Sequence, residues 1–279
     1  MHQTVERMQK SCLRIERGVP AVAALTLMLL GVELSAFAQD HALTKPTLST
    51  DVIVQNLMAA NARRAAALRA YQGKRVYKLD YTGLFGGHAE MLVEATYRAP
   101  NEKNFKVISE SGSKLLIREV LLKLLQSERE AQEERNRKAL EISPANYEFK
   151  LESTQHTPAG DFYVLDVKPR SKNKYVYKGT IWVDARDFAV TRMEGSPATN
   201  PSFWVKNVEV QYQWAKIGGF WLPARNDSVT SVRLGGKAVL NISYSDYQIT
   251  VGNGAAAAKS AEKNPVLPDP STLTLQPHF

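Results

Sequence analysis

Five histidines and one cysteine are the first residues to test for chemistry in this chain of 279 residues, and their spacing argues against most of it. His2, His41, His88, His156 and His278 are scattered, with no pair spaced so that one helix face could offer two imidazoles to zinc. His88 follows Gly86-Gly87 and reads as an exposed turn residue. Cys12 stands alone near the start, so neither a disulfide nor a thiolate metal site is expected. Carboxylate pairs such as Asp184 and Asp187 could in principle share acid and base roles, but two acids flanking a turn usually serve as its hydrogen-bond acceptors. The chain has no G-x-S-x-G elbow, no phosphate-binding glycine loop and no dinucleotide fingerprint. The expectation is a protein without catalytic residues, metal or cofactor.

The remaining residues capable of specific binding are apolar. All four tryptophans, Trp182, Trp204, Trp214 and Trp221, lie in the later part of the chain among alternating segments that also hold most of the tyrosines. Such residues ordinarily build a core. A large sheet, however, presents more apolar face than two helices can cover, and the uncovered part is suited to acyl chains. Each methylene removed from water contributes about 0.8 kcal/mol, so binding needs only an apolar and roomy cavity. The candidate lining is Tyr77, Leu79, Tyr81, Met91, Val93, Phe105, Leu121, Leu125, Trp182, Trp204, Tyr212 and Trp214.

The elements that must position these residues follow from periodicity. Ile53, Leu57, Ala60, Ala67 and Leu68 recur at helical spacing and predict a helix over Thr47 to Leu68, capped by Ser49 or Thr50. From Lys74 the period becomes two: Tyr77, Leu79 and Tyr81 alternate with Lys78 and Asp80, and Ala89 to Tyr97 alternates likewise. Phe105 to Ser109 is the third strand. Leu115 to Leu140 reads as one inserted helix, with Ile117, Leu121, Leu124 and Leu125 as an apolar stripe and Glu128 to Lys138 as a charged extension. Strands then resume over Tyr147 to Glu152, Phe162 to Val167, Tyr175 to Asp184, Phe188 to Glu194, Phe203 to Ile217, Phe220 to Leu234 and Ala238 to Ile249, with Gly-Gly turns between the last three. The fold class expected is α+β, mainly β: a curled antiparallel meander, a half-barrel of about ten strands, covered by the N-terminal helix and the inserted helix, which could act as a lid.

Lys10, Arg14 and Arg17, the apolar run Ala21 to Leu30 and the small residues of Ala36-Phe37-Ala38 have the order of an export signal cleaved after Ala38. The run is too short for a membrane span, which takes about 20 apolar residues. The division expected is a signal over 1–38, a polar lead over 39–46, the folded domain over 47–250 and a disordered Pro/Ala-rich tail over 251–279. The net charge of +8 is dispersed among acids, so no nucleic-acid footprint is indicated.

Two stretches resemble a known family. Gly179-Thr180-Ile181-Trp182-Val183-Asp184 and the following Phe188-Ala189-Val190-Thr191-Arg192-Met193-Glu194-Gly195 look like a strand ending in aspartate and a strand closing on Arg-x-Glu in the LolA-like periplasmic carriers of outer-membrane lipoprotein sorting. Gly219-Phe220-Trp221-Leu222-Pro223-Ala224-Arg225, leading to Tyr244-Ser245-Asp246-Tyr247, is similar to a later pair. The resemblance implies a half-barrel with helices plugging its open side, a periplasmic location, and a monomer carrying acyl chains of lipids or lipoproteins between inner- and outer-membrane transport components. The other reading is a periplasmic envelope-stress sensor or interaction module of the same fold.

Overall fold

A computed structural model describes residues 48–252 apart from Phe85 and Leu234, and the side chains within that range apart from Glu134, Arg135 and Ala139. The export segment, its cleavage site, Cys12 and the Pro-rich tail lie outside the described residues. Helix α1 spans Thr50–Ala67 and leads into β1 (Leu68–Tyr81), β2 (Gly87–Arg98) and β3 (Glu102–Gly112). Next come α2 (Lys114–Leu116), a π-helical turn (Ile117–Leu121), α3 (Leu122–Ala131) and α4 (Glu134–Leu140). Seven strands complete the chain: β4 (Tyr147–Thr157), β5 (Gly160–Pro169), β6 (Tyr177–Asp184), β7 (Val190–Pro197), β8 (Val205–Ile217), β9 (Phe220–Val232) and β10 (Lys237–Val251).

The ten strands form one open antiparallel sheet in the order β3-β2-β1-β10-β9-β8-β7-β6-β5-β4. β3 and β4 are consecutive strands in the chain yet occupy opposite edges. The inserted helical segment between them must therefore cross the sheet. Gly218 and Gly219 between β8 and β9 serve their hairpin as expected, with φ of 55° and 86°, the paired left-handed values of a tight two-residue hairpin, whereas Gly86 and Gly87 between β1 and β2 have no positive φ and Gly87 already belongs to β2.

The α1 helix begins at Ser49, whose Oγ accepts the Val52 N–H, and buries Ile53, Val54, Leu57 and Ala60. Ile53, Val54 and Leu57 pack with Leu165, Val167, Ile181 and Val183 of β5 and β6 in one core cluster. A second cluster joins Tyr77, Leu79, Met91 and Val93 of β1 and β2 to Ile117, Leu121 and Leu125 of the inserted segment. At 3.6 residues per turn, a four-residue spacing drifts about 40° around an α-helix. The wider π turn offsets that drift, and Ile117 and Leu121 are both buried. A third cluster, Phe220, Leu222, Tyr247 and Ile249, closes the end of the sheet near the start of β1.

The single helix expected over Leu115 to Leu140 is instead interrupted, with α3 ending at Ala131 and α4 starting at Glu134. The charged stretch has no apolar stripe to hold it on the sheet, and the break lets Leu140 and Ile142 reach the cluster under α1. Among the described residues no helix is long and apolar enough to cross a membrane.

Candidate functional site on the concave face

Residues directly opposite one another in neighbouring strands share a face of the sheet. The pairing of β2 through β4 can thus be followed as one row: Met91, Tyr77, Ile242, Asn226, Tyr212, Met193, Ile181, Leu165 and Leu151. The row runs from the cluster under the inserted helix to the cluster under α1, so both helices cover the same face. Towards its two ends the row is packed: Met91 and Leu165 are buried, as are the helix residues Leu121 and Leu57 of the same clusters.

The middle of the row differs. Tyr212, Trp214, Tyr177 and Tyr244 are only half-buried there, and none belongs to the buried part of a core cluster. Their rings adjoin, Tyr177 edge-on to Tyr212 at 6.0 Å and Tyr212 stacked on Trp214 at 5.8 Å. The side chains are partly exposed, but the Tyr212 and Tyr244 hydroxyls themselves are desolvated, which raises both well above the usual tyrosine range and keeps them protonated at neutral pH. Asn226, opposite Tyr212 on β9, is 8% exposed, and its buried Oδ1 has no hydrogen-bond partner. A buried carbonyl left unpaired costs about 1–3 kcal/mol. The site therefore offers an aromatic band whose tyrosine hydroxyls hydrogen-bond with one another and with Asn226, leaving the Asn226 Oδ1 as an unpaired acceptor beside them.

The α3 helix holds both sides of this band. On one side the Glu128 carboxylate receives Arg75 at 2.6 and 3.2 Å and also Lys103. On the other side the Tyr175 hydroxyl, in the loop before β6, donates to Glu130 at 2.6 Å. Arg75 is 3% exposed and sits 5.0 Å from the centres of the Phe105 and Tyr244 rings, a desolvated cation between two aromatic faces. Burial alone would raise the Glu128 carboxyl, but Lys103 and Arg75 outweigh it and hold it down at about 2.

The candidate lining divides into four groups. Tyr77, Leu79, Met91, Val93, Leu121 and Leu125 are buried in the cluster under the inserted helix, and Phe105 packs at its margin. Tyr212 and Trp214 lie in the half-buried band. Tyr81 stands at the hairpin end of β1, donating to the Gly235 carbonyl. Trp182 and Trp204 fall elsewhere, which corrects the expectation for both. Ile181 and Val183 take the inward positions of β6, so Trp182 between them faces outward, with Arg192 4.6 Å over its ring and Gln155 accepting its N–H. Trp204 precedes β8 and is 55% exposed.

The site residues that were not anticipated are Arg75, Lys103, Glu128, Glu130, Tyr175, Tyr177, Asn226 and Tyr244. Arg75 and Asn226 carry a readable signal, because each occupies a position in phase with an apolar strand face: Arg75 with Tyr77 and Leu79, Asn226 with Leu222. Asp184 is a turn former, its Oδ1 accepting the N–H groups of Arg186 and Asp187. Among the described residues no cluster of His, Cys, Asp or Glu is placed to hold a metal.

No family model matches the chain, and no curated protein matches it. Solved structures with a similar outline include a LolA superfamily protein from Nitrosomonas europaea, 13% identical, with 70% of this chain and 92% of that one covered at a TM-score of 0.32. A DUF1329 family protein from Desulfovibrio piger is 11% identical over 75% of this chain and 96% of its own, at 0.37. An outer-membrane lipoprotein-sorting protein domain from Vibrio parahaemolyticus is 14% identical over 73% and 93%, at 0.35. The likeness is one of fold, and at these scores it assigns no function to this chain.

Proposed function

We propose that this protein is a non-enzymatic periplasmic carrier that holds acyl chains of lipids or lipoproteins on the middle of its concave face, on their way towards the outer membrane. The observation that carries the reading is the half-buried aromatic band between two packed, helix-covered ends. An acyl chain laid along Tyr177, Tyr212 and Trp214 would cover the apolar surface that the fold leaves partly open, at about 0.8 kcal/mol per methylene. The α3 helix would act as the lid, since it reaches both sides of the band through Glu128 and Glu130. The free Asn226 carbonyl favours a chain joined through an amide, which brings an N–H donor, over an ester, which brings none. Delivery to the periplasm, by a signal cleaved after Ala38, and passage between inner- and outer-membrane components as a monomer belong to the same proposal.

The test uses the chain from Gln39 purified from its host. Lipid mass spectrometry of an extract should find acyl species, and a pyrene-labelled fatty acid should bind. The double variant Tyr212→Asp/Trp214→Asp should weaken that binding at least about tenfold, or about 1.4 kcal/mol, with its far-ultraviolet circular dichroism unchanged. A native extract free of acyl ligand together with no uptake of the probe would overturn the proposal.

A further inference from the structure

The four most exposed large apolar side chains among the described residues are Leu84 at 85%, Phe203 at 75%, Trp204 at 55% and Leu115 at 53%. They come from distant parts of the sequence, yet all four lie at the same end of the sheet. Leu84 is in the β1–β2 turn, Phe203 and Trp204 are in the β7–β8 loop, and Leu115 is in the first turn after β3. Strand pairing brings these connections together with the β9–β10 turn, since Tyr81 lies opposite Ala238, Val205 opposite Val232, and Ala89 opposite Gly112.

Hydrogen bonds join the loops into one surface. The Thr82 N–H donates to the Lys237 carbonyl at 2.9 Å, and the Arg233 N–H donates to the Trp204 carbonyl at 2.8 Å. At the inserted helix, the Ser113 N–H donates to the His88 carbonyl at 2.7 Å. The Phe203 and Trp204 rings meet edge to face at 5.4 Å, with the Arg233 guanidinium 5.4 Å from the Phe203 centroid. The aromatic pair is thus held outward by its own backbone.

The charge around this surface has one sign in excess. Lys114, Lys206, Arg233 and Lys237 are exposed, and no carboxylate among the described residues pairs with them. Of the nearby acids, Glu90 is paired with Lys78 at 3.0 Å and Glu119 with Arg118 and Lys123, while Asp80, held by His88 at 2.9 Å, and the exposed Glu110 are outnumbered by the four cations. Exposed tryptophan and phenylalanine flanked by unpaired cations match the boundary of a bilayer, where aromatic rings sit at headgroup level and anionic headgroups attract lysine and arginine.

We infer that this end of the sheet docks onto an anionic lipid surface, with Phe203, Trp204, Leu84 and Leu115 entering the headgroup layer and the four cations facing the lipid charges. The inference does not depend on what the concave face carries. The chain from Gln39 is mixed with vesicles of phosphatidylglycerol and phosphatidylcholine, or of phosphatidylcholine alone, and followed by sedimentation and tryptophan emission. Binding to the anionic vesicles with a blue shift, weakened by added salt, is expected. Phe203→Ser/Trp204→Ser should lower vesicle binding at least about tenfold and remove most of the shift, while leaving uptake of the pyrene-labelled fatty acid intact. Lys206→Glu/Arg233→Glu, which leaves the rings in place, should abolish the preference for anionic vesicles. Failure of the parent chain to bind anionic vesicles, equal binding to both vesicle types, or unchanged binding by the folded Ser variant would overturn it.

Discussion

Single atoms decide much of what this sheet can do. Asn226 occupies a position where a leucine would fill the face, and its unpaired Oδ1 is a cost to the empty protein. Asn226→Leu removes that cost together with the hydrogen bond to Tyr212, so stability should change by no more than about 1 kcal/mol, while affinity for an N-acylated probe falls more than for the matching ester. Equal losses for the two probes, read by competition against the pyrene-labelled fatty acid, would remove Asn226 from the binding role. Two glycines work in the opposite sense. Gly179 and Gly195 face each other across β6 and β7, and a Cβ on Gly195 would stand 2.1 Å from the Lys178 carbonyl oxygen. That neighbour is backbone and cannot turn aside, so Gly195→Ala should cost about 3 kcal/mol. Gly219→Ala meets nothing within 4 Å and carries only the strain of its positive φ, about 1–2 kcal/mol. Urea unfolding of the two variants side by side checks the order.

Among the elements, α3 has the most to do, because it is tied to strands on one side of the band and to a loop on the other. Its tie through Glu128 is sensitive to acid. The folded carboxyl lies at about 2, below the ordinary 4.5, so its contribution is complete above the latter value and is lost as pH falls towards the former. Glu128→Gln should lower stability at neutral pH by about 3 kcal/mol, since Arg75 is left buried without its full partner, and should flatten the acid limb of the stability curve. Chemical denaturation from pH 7 down to the acid limit measures both. A variant whose acid limb matches the parent's would show that the clamp does not set it. Apolar spacing, a local property, identified Ile117, Leu121 and Leu125 as the residues that seat this segment, but Leu124, expected in the same stripe, is exposed. The spacing did not recover the π turn or the break before α4. Both depend on where the helix must land, and that is set by strands on the far edge of the sheet.

For the molecule as a whole, alternation was the most reliable guide. It gave ten strands, and it placed Tyr77, Leu79, Met91 and Val93 inward because side chains on a strand must alternate between faces. The same rule, with Ile181 and Val183 read as the inward pair, sends Trp182 to the other face. The size of an indole was a poorer guide than its position. The Arg-x-Glu feature of the family resemblance turns out to be a pair between Arg192 and Glu194 within β7, and the later aromatic feature is the third core cluster, where the Tyr247 hydroxyl donates to the Pro223 carbonyl. Both are structural roles.

The sequence by itself determined the strands, their inward faces, the hairpin turns and the apolar stripes of the helices, since each follows from the spacing of residues a few positions apart. Only the tertiary structure decided that β10 lies beside β1, that α3 spans the concave face, and that the aromatic side chains of one band, beside the buried Asn226, are only partly covered. It likewise decided that Leu84, Leu115, Phe203 and Trp204 share one end. These are outcomes of pairing between segments far apart in the chain, which no local periodicity encodes.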